Sequence, residues 1–362
     1  MSKAAELAAL IGSQTALSNR NLIINGAMQV AQRGDVTGIT TTGYYGPDRF
    51  NLLLNNLGTW SVSQSSTSPD GFANSLKISC TGADASPAAA DYAIVYHLME
   101  GQNLQHLQKG TSSAKSLSLS FYVRSSKTGT YNVNLMDRDN SNRLVGGSYV
   151  VNAADTWEYK TVTFVGDTSG ILDDDNQKSL HVEWWLASGS DNSSGTSSAS
   201  WQAFDATDRN ASSTVNLADT VGNEWYITGV QLEVGETATP FEHRSYGDEL
   251  ARCMRYFEGG SYANASATGQ VGQIWCWRND GTDRAFPYMN GQYRVVKRST
   301  PTVTIQSSQD GTANRLSGYS SGTNYTVSSI NNPQPAYVCM YFSSSGLPAQ
   351  SIVGYYEADA EL

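Results

Sequence analysis

A chain of 362 residues is long enough for one large domain or two of ordinary size around a well-buried core, so disorder does not dominate it. Charged residues make up only 15% against roughly 25% in a typical soluble protein, while 20 Tyr and 8 Trp accompany plentiful Ser, Thr, Asn and Gly, a composition for strands and turns and not for a helical bundle. Thirty-three acids against 23 bases give a formal charge of −10, which repels phosphate backbones and anionic lipid, so nucleic acid is not an expected partner.

Residues 1–20 open with a short helical signal. Ser2 is placed to cap it, and Ala4, Leu7, Ala8 and Ile11 fall on one apolar stripe that ends near Gly12. So short a helix is marginal alone, which makes Ala4, Leu7 and Ile11 candidates for self-association or attachment; a frayed tail is the alternative. The same opening carries Glu6 where a signal peptide needs an unbroken apolar run, and no run of about 18 apolar residues occurs anywhere. Neither membrane insertion nor export by that route is expected.

From 21 to 240 the apolar residues take a period of two, as in Leu76/Ile78/Cys80, Leu117/Leu119/Phe121/Val123, Tyr131/Val133/Leu135, Val162/Phe164 and Leu180/Val182/Trp184/Leu186. Turn-forming clusters separate these runs, among them 125–129, 137–143 and the long Ser188 to Ser200 tract. Many antiparallel strands without intervening helices predict an all-β fold, a jelly-roll β-sandwich. In Trp225 to Val234 the alternation changes phase at Gly229, where a bulge restores the inward face.

Residues 241–258 give a second helical signal, a connecting helix, because Ser245-x-x-Asp248 resembles a capping box ahead of the Leu250/Cys253/Met254/Phe257 stripe. Strand patterns resume over 259–362, including Trp275/Trp277, Val303/Ile305 and Val353/Tyr355, and predict a smaller C-terminal β-sandwich. No fixed-period repeat is present, which argues against a propeller, a solenoid or a long parallel β-helix.

Cys80, Cys253, Cys276 and Cys339 form no C-x-x-C pair and the four histidines, His97, His106, His181 and His243, are scattered, so buried thiols and ordinary surface imidazoles are expected in place of a zinc site or a disulfide framework. Nucleophile-elbow, phosphate-loop, dinucleotide and zincin motifs are all absent, and acid pairs in an acid-rich chain single out no glycosidase site. No catalysis and no cofactor are expected. Asp173-Asp174-Asp175 concentrates hard oxygen ligands in one loop, but without the calcium-loop spacing a solvated acidic turn is favoured over a metal site.

The candidate binding residues are aromatic. In His181-Val182-Glu183-Trp184-Trp185, strand alternation turns His181, Glu183 and Trp185 to one outward face, where an open ring beside hydrogen-bonding groups suits the apolar C–H face of a sugar. The competing reading packs Trp185 under a loop or a neighbouring subunit. Trp275 and Trp277 share a strand face before Asp280-Gly281, as a binding edge or simply as core.

Three stretches carry a family resemblance: Asn21 to Gly34 (NLIINGAMQVAQRG) with Tyr45 to Phe50 (YGPDRF), then Gly166-Asp167-Thr168, and finally Trp225 to Gly235 with Ala238 to Phe257. With them the chain resembles tailed-bacteriophage virion proteins, common in marine phages and usually labelled tail fibre proteins. The resemblance spans about 20 to 258 and frames a region that looks like a carbohydrate-binding-module jelly roll. It implies a homotrimeric virion structural protein, assembled in the host cytoplasm, whose partners are other phage tail or capsid proteins and a bacterial surface glycan, with no catalytic residues carried over. The other readings are a capsid or tail decoration protein that contacts only virion proteins, and an enzyme that degrades host polysaccharide, which the missing acid-pair and repeat signals disfavour.

Overall fold

The computed structural model describes residues 19–139, 142–259, 273–277, 286–287, 293–318, 322–326, 329–331, 334–336, 339–341 and 351–362. The N-terminal stripe Ala4/Leu7/Ile11 lies outside the described residues. The chain divides into two compact units, the first built from residues up to 29 and from 35–244, the second from Val30–Gly34 and Ser245–Glu361.

The first unit is a jelly-roll β-sandwich with thirteen antiparallel strands among the described residues. They are β1 (Val36–Ile39), β2 (Gly43–Tyr44), β3 (Asn51–Asn55), β4 (Thr59–Ser65), β5 (Ser75–Gly82), β6 (Tyr92–Glu100), β7 (Leu117–Ser125), β8 (Gly129–Asp137), β9 (Arg143–Val151), β10 (Glu158–Phe164), β11 (Lys178–Ser188), β12 (Gln202–Ala203) and β13 (Glu224–Val234). One sheet runs β1-β4-β5-β13-β7-β10 and the other β12-β9-β8-β11-β6-β3-β2. The period-two runs enter one shared core: Leu76, Ile78 and Cys80 with Phe121, Val123, Val133, Leu135, Val182, Trp184 and Leu186 are all buried there. Two of its large polar-tipped rings keep partners, Trp60 Nε1 donating to the Leu57 carbonyl at 2.6 Å and Trp225 Nε1 to the Tyr149 hydroxyl at 3.2 Å, whereas the buried Trp184 Nε1 has no partner among the described residues.

The predicted phase change in β13 is a bulge. Thr228 pairs with Tyr122 and Gln231 with Ser120, so Gly229 and Val230 together face Phe121. Gly229 holds φ at +62°, and the extra residue returns Val230 and Leu232 to the core. A Cβ at Gly229 would also lie 2.7 Å from Phe72 Cζ and 3.1 Å from Tyr122 Cδ2. Gly229→Ala is therefore expected to cost about 1–3 kcal/mol in urea unfolding, from left-handed strain and crowding together; a cost within error of zero would show that the bulge is not needed in that form.

The residues that carry the family resemblance prove to be a structural latch. The Asn21 side chain accepts from Ile23 N and Leu232 N and donates to the Val230 carbonyl, while Glu242 accepts from Asn19 N and Asn21 N. Arg244 donates to the carbonyls of Asn21 and Ile23. Gly26 comes so close to β13 that a Cβ would stand 2.1 Å from the Val230 oxygen. The start of the unit is thereby tied to its end, more than 200 residues later.

The second unit begins with α1 (Tyr246–Met254). Ser245 Oγ accepts from Asp248 N at 3.2 Å, acids occupy the first turn and Arg252 the last, and Cys253 and Met254 are buried. The helix is shorter than 241–258, because Phe257 belongs to the next strand. The strands are β14 (Phe257–Gly259), β15 (Gln273–Trp277), β16 (Phe286–Pro287), β17 (Thr302–Ser307), β18 (Arg315–Gly318), β19 (Asn324–Thr326), β20 (Ser329–Asn331), β21 (Cys339–Tyr341) and β22 (Ser351–Asp359). β22 is the hub, pairing with β14, β15, β17 and β18. Arg33, from the segment 30–34, lies 3.6 Å over the Phe257 ring and pairs with Asp359 and Glu361 at 3.2 Å each.

Candidate functional site

His181, Glu183 and Trp185 do share the outward face of β11, but they are not open to solvent. Glu183 sits between Asn134 of β8 and Tyr96 of β6, and is 1% exposed; Trp185 is fully buried. The expectation of an open sugar platform is corrected by the long connection between β11 and β13, which lays Arg209 across this face. Its Nη2 and Nε donate to Glu183 Oε1 at 2.6 Å and Oε2 at 3.2 Å, and its guanidinium lies 4.7 Å from the Trp185 ring centre. Its carbonyl accepts from Asn134 Nδ2 at 2.6 Å. A buried carboxylate requires such a cation, and the bidentate fork supplies it.

The cluster's other bonds converge on the same carboxylate. His181 Nε2 donates to Glu183 Oε1 at 2.7 Å and Trp185 Nε1 to Oε2 at 3.3 Å. Burial alone would raise the Glu183 carboxyl, but the Arg209 charge and the His181 bond outweigh it and hold the group well below the usual carboxylate range. Burial pulls the His181 imidazole down, so it is predominantly neutral at pH 7 despite the attraction of Glu183. This is an internal brace between sheet and loop.

The remaining predicted positions are not joined to it. Trp275 and Trp277 stand on β15, whose side chains lie outside the described residues. Asp173 and Asp174 are exposed and Asp175 accepts from Gln177 N at 2.9 Å, as in a solvated turn. Among the described residues no group of three or more His, Cys, Asp or Glu is arranged to hold a metal ion, so the calcium candidate Asp173/Asp174/Asp175 is not assembled as a ligand set.

An open aromatic surface lies instead on the outer face of the first sheet, across the Gly229 bulge. Tyr159 of β10 is paired with Tyr122 of β7, their rings 5.0 Å apart, and Tyr122 continues to Phe72 at 5.5 Å. Phe72 in turn meets Phe241 at 5.1 Å and His243 at 5.3 Å. Tyr159 is 48% exposed, His243 is exposed, and the other three are half-buried. The absence of a side chain at Gly229 lets Phe72 and Tyr122 lie close to the sheet. Among the described residues the hydroxyls of Tyr122 and Tyr159 and the His243 ring nitrogens have no hydrogen-bond partner, so the ribbon offers flat apolar faces edged by free polar groups. Beside it, Arg124 lies 4.8 Å over the Tyr226 ring and is held by Asp155. Strand alternation marks Tyr122 and Tyr159 as outward aromatics in the sequence; nothing local marks Phe72, Phe241 or His243 as their neighbours.

No family model matches the chain, and no curated protein does. Among solved structures, the chain is similar to the enzymatically active domain of tailspike protein 4 of bacteriophage CBA120, at 10% identity and a TM-score of 0.29, over 60% of this chain and 22% of that one. It is also similar to a carbohydrate-binding module designated CBM4, at 11% identity and a TM-score of 0.30 over 58% of this chain and 98% of that one. A third is a family 11 carbohydrate-binding module from Clostridium thermocellum in complex with a β-1,3-1,4-mixed-linked tetrasaccharide, at 12% identity and a TM-score of 0.29, with the same coverage.

Proposed function

We propose that the chain is a non-enzymatic adhesin of a tailed-phage particle, a tail fibre or related appendage whose β-sandwich binds a bacterial surface glycan. The observation that carries the reading is the ribbon Tyr159–Tyr122–Phe72–Phe241/His243 on the outer face of the first sheet. A pyranose presents an apolar C–H face edged by hydroxyls, and the ribbon pairs ring faces with free hydroxyl and imidazole groups. Such contacts are individually weak. In a homotrimer, the assembly this reading assumes, engagement of a second and third site becomes intramolecular and avidity rises by about 10² to 10⁴.

The acids support binding over turnover. Among the described residues two carboxyls of opposite shift share one cation, Asp137, which burial raises, and Asp167, where burial is outweighed by bonds from Arg143 and Lys109 that bring it to about 2. Divergent values of this kind are what an acid and base pair needs. Both side chains, however, are buried against Lys109, whose ammonium lies between them, so neither flanks a bond of a bound glycan.

Tyr122→Ala/Tyr159→Ala is expected to weaken binding of the purified protein to host cells by about tenfold, the equivalent of about 1.4 kcal/mol, with an unchanged melting temperature. Undiminished binding by a folded double variant would refute the ribbon as the adhesive surface. If the wild-type protein fails to bind cells and is present in many copies per particle, the decoration reading takes its place.

A further inference from the structure

At one end of the first unit, two clefts of about 560 and 330 Å³ share Ile171 as a wall, sizes within the range of small-molecule sites. Beneath them is a buried charge network. Asp167, 2% exposed at its side chain, grips Arg143 through Nε at 2.7 Å and Nη2 at 3.1 Å. Lys109, also buried, donates to Asp167 at 2.9 Å, to Asp137 and to the Gly170 carbonyl at 3.1 Å, and lies 4.6 Å from the Trp201 ring centre. Arg143 Nη2 reaches the Trp201 carbonyl at 3.4 Å. The guanidinium is thus fixed on one side by the protein, as a preorganised binding group requires.

Three polar groups of the larger cleft are unspent. Among the described residues Arg143 Nη1, the Asn142 carboxamide and the Ser169 hydroxyl have no hydrogen-bond partner, which gives donors and acceptors side by side. Apolar surface is offered at the same place by Ile171, which lines both clefts and is 58% exposed. The Arg143 charge is matched by Asp167, and Asp173 and Asp174 lie exposed nearby, so the cleft carries no positive excess to attract an anion.

We infer that this cleft is a second saccharide site, distinct from the aromatic ribbon, that takes a neutral sugar ring through Asn142, Arg143 and Ser169 with Ile171 against its C–H face. It does not depend on the ribbon binding anything.

The test uses the full chain carrying ¹³C-labelled isoleucine methyl groups, titrated with the methyl glycosides of glucose, galactose, mannose and N-acetylglucosamine, with glucuronate as the anionic probe. A saturable shift of the Ile171 methyl resonance is expected with at least one methyl glycoside, with weaker binding of glucuronate. In the Tyr122→Ala/Tyr159→Ala background the shift persists, and adding Ser169→Trp, which fills the cleft from an exposed position, lowers affinity by about tenfold or more. An Ile171 methyl that no methyl glycoside moves, a preference for glucuronate, or affinity unchanged by Ser169→Trp would each overturn the assignment. Glycoside binding lost in the ribbon variant while Ser169→Trp alone retains it would overturn the cleft and leave the ribbon standing.

Discussion

Arg209→Met is expected to destabilise the first unit by about 3–5 kcal/mol, as measured by urea unfolding, because it removes one partner of a buried ion pair and keeps the other. Methionine retains the length of the side chain and its packing on Trp185, so the loss isolates the charge. Glu183 would then stand 1% exposed with only His181 and Trp185 as donors, and it can escape only by taking up a proton or by lifting the loop. Adding Glu183→Gln should recover a large part of the loss, since a neutral amide no longer needs the cation. On the proposed adhesive role, which places binding on the ribbon and not on this brace, binding to host cells should survive in whatever fraction remains folded. A single-variant cost below about 1 kcal/mol would mean that Glu183 is not held as a buried anion and that the brace has been misread.

The contrast between this cluster and the ribbon shows what a sequence can reveal. Alternation fixes the face of a residue, and it correctly sends Val182 and Trp184 into the core and His181, Glu183 and Trp185 to the other side of β11. Whether that other side meets water depends on the connection between β11 and β13, whose Ser, Gly and Asp residues carry no period to say where they lie. Arg209 is 26 positions from Glu183 and nothing local links them. The same limit hid the ribbon. Tyr122 and Tyr159 are outward by alternation, but Phe72 reaches them from the turn before β5, and Phe241 and His243 from beyond β13. The Gly229 bulge was legible because it breaks a period, and the α1 cap because Ser245 and Asp248 are three residues apart. The residues that carry the resemblance were legible as a pattern and not as a purpose: Asn21, Gly26, Glu242 and Arg244 join ends of the unit that only the folded chain brings together.

A second buried pair, in the other unit, should be as sensitive. Lys297 and Glu258 are both wholly buried at their side chains, with Nζ and Oε2 2.6 Å apart. The ammonium spends its three protons on Glu258, the Met254 carbonyl at 2.5 Å and the Val295 carbonyl at 3.2 Å. Glu258 in turn accepts from the Tyr356 hydroxyl at 2.8 Å and from Arg294 N. Burial pulls the Lys297 pKa down although Glu258 opposes the fall, and the cation is kept in the core by that carboxylate together with the two carbonyls. Lys297→Met fills the space and strands the carboxylate, so a loss of about 3–5 kcal/mol is expected, again relieved in large part by adding Glu258→Gln. Hydrogen exchange is the measurement that locates it: amides of Thr302–Ser307 and Ser351–Asp359 should lose protection, since Tyr356 on β22 is bonded directly to Glu258 and β17 pairs along that same strand, whereas the strands of the first unit should not change. Equal loss of protection in both units would show that they unfold as one cooperative body, and the cost would then have to be divided over the whole chain and not assigned to this unit.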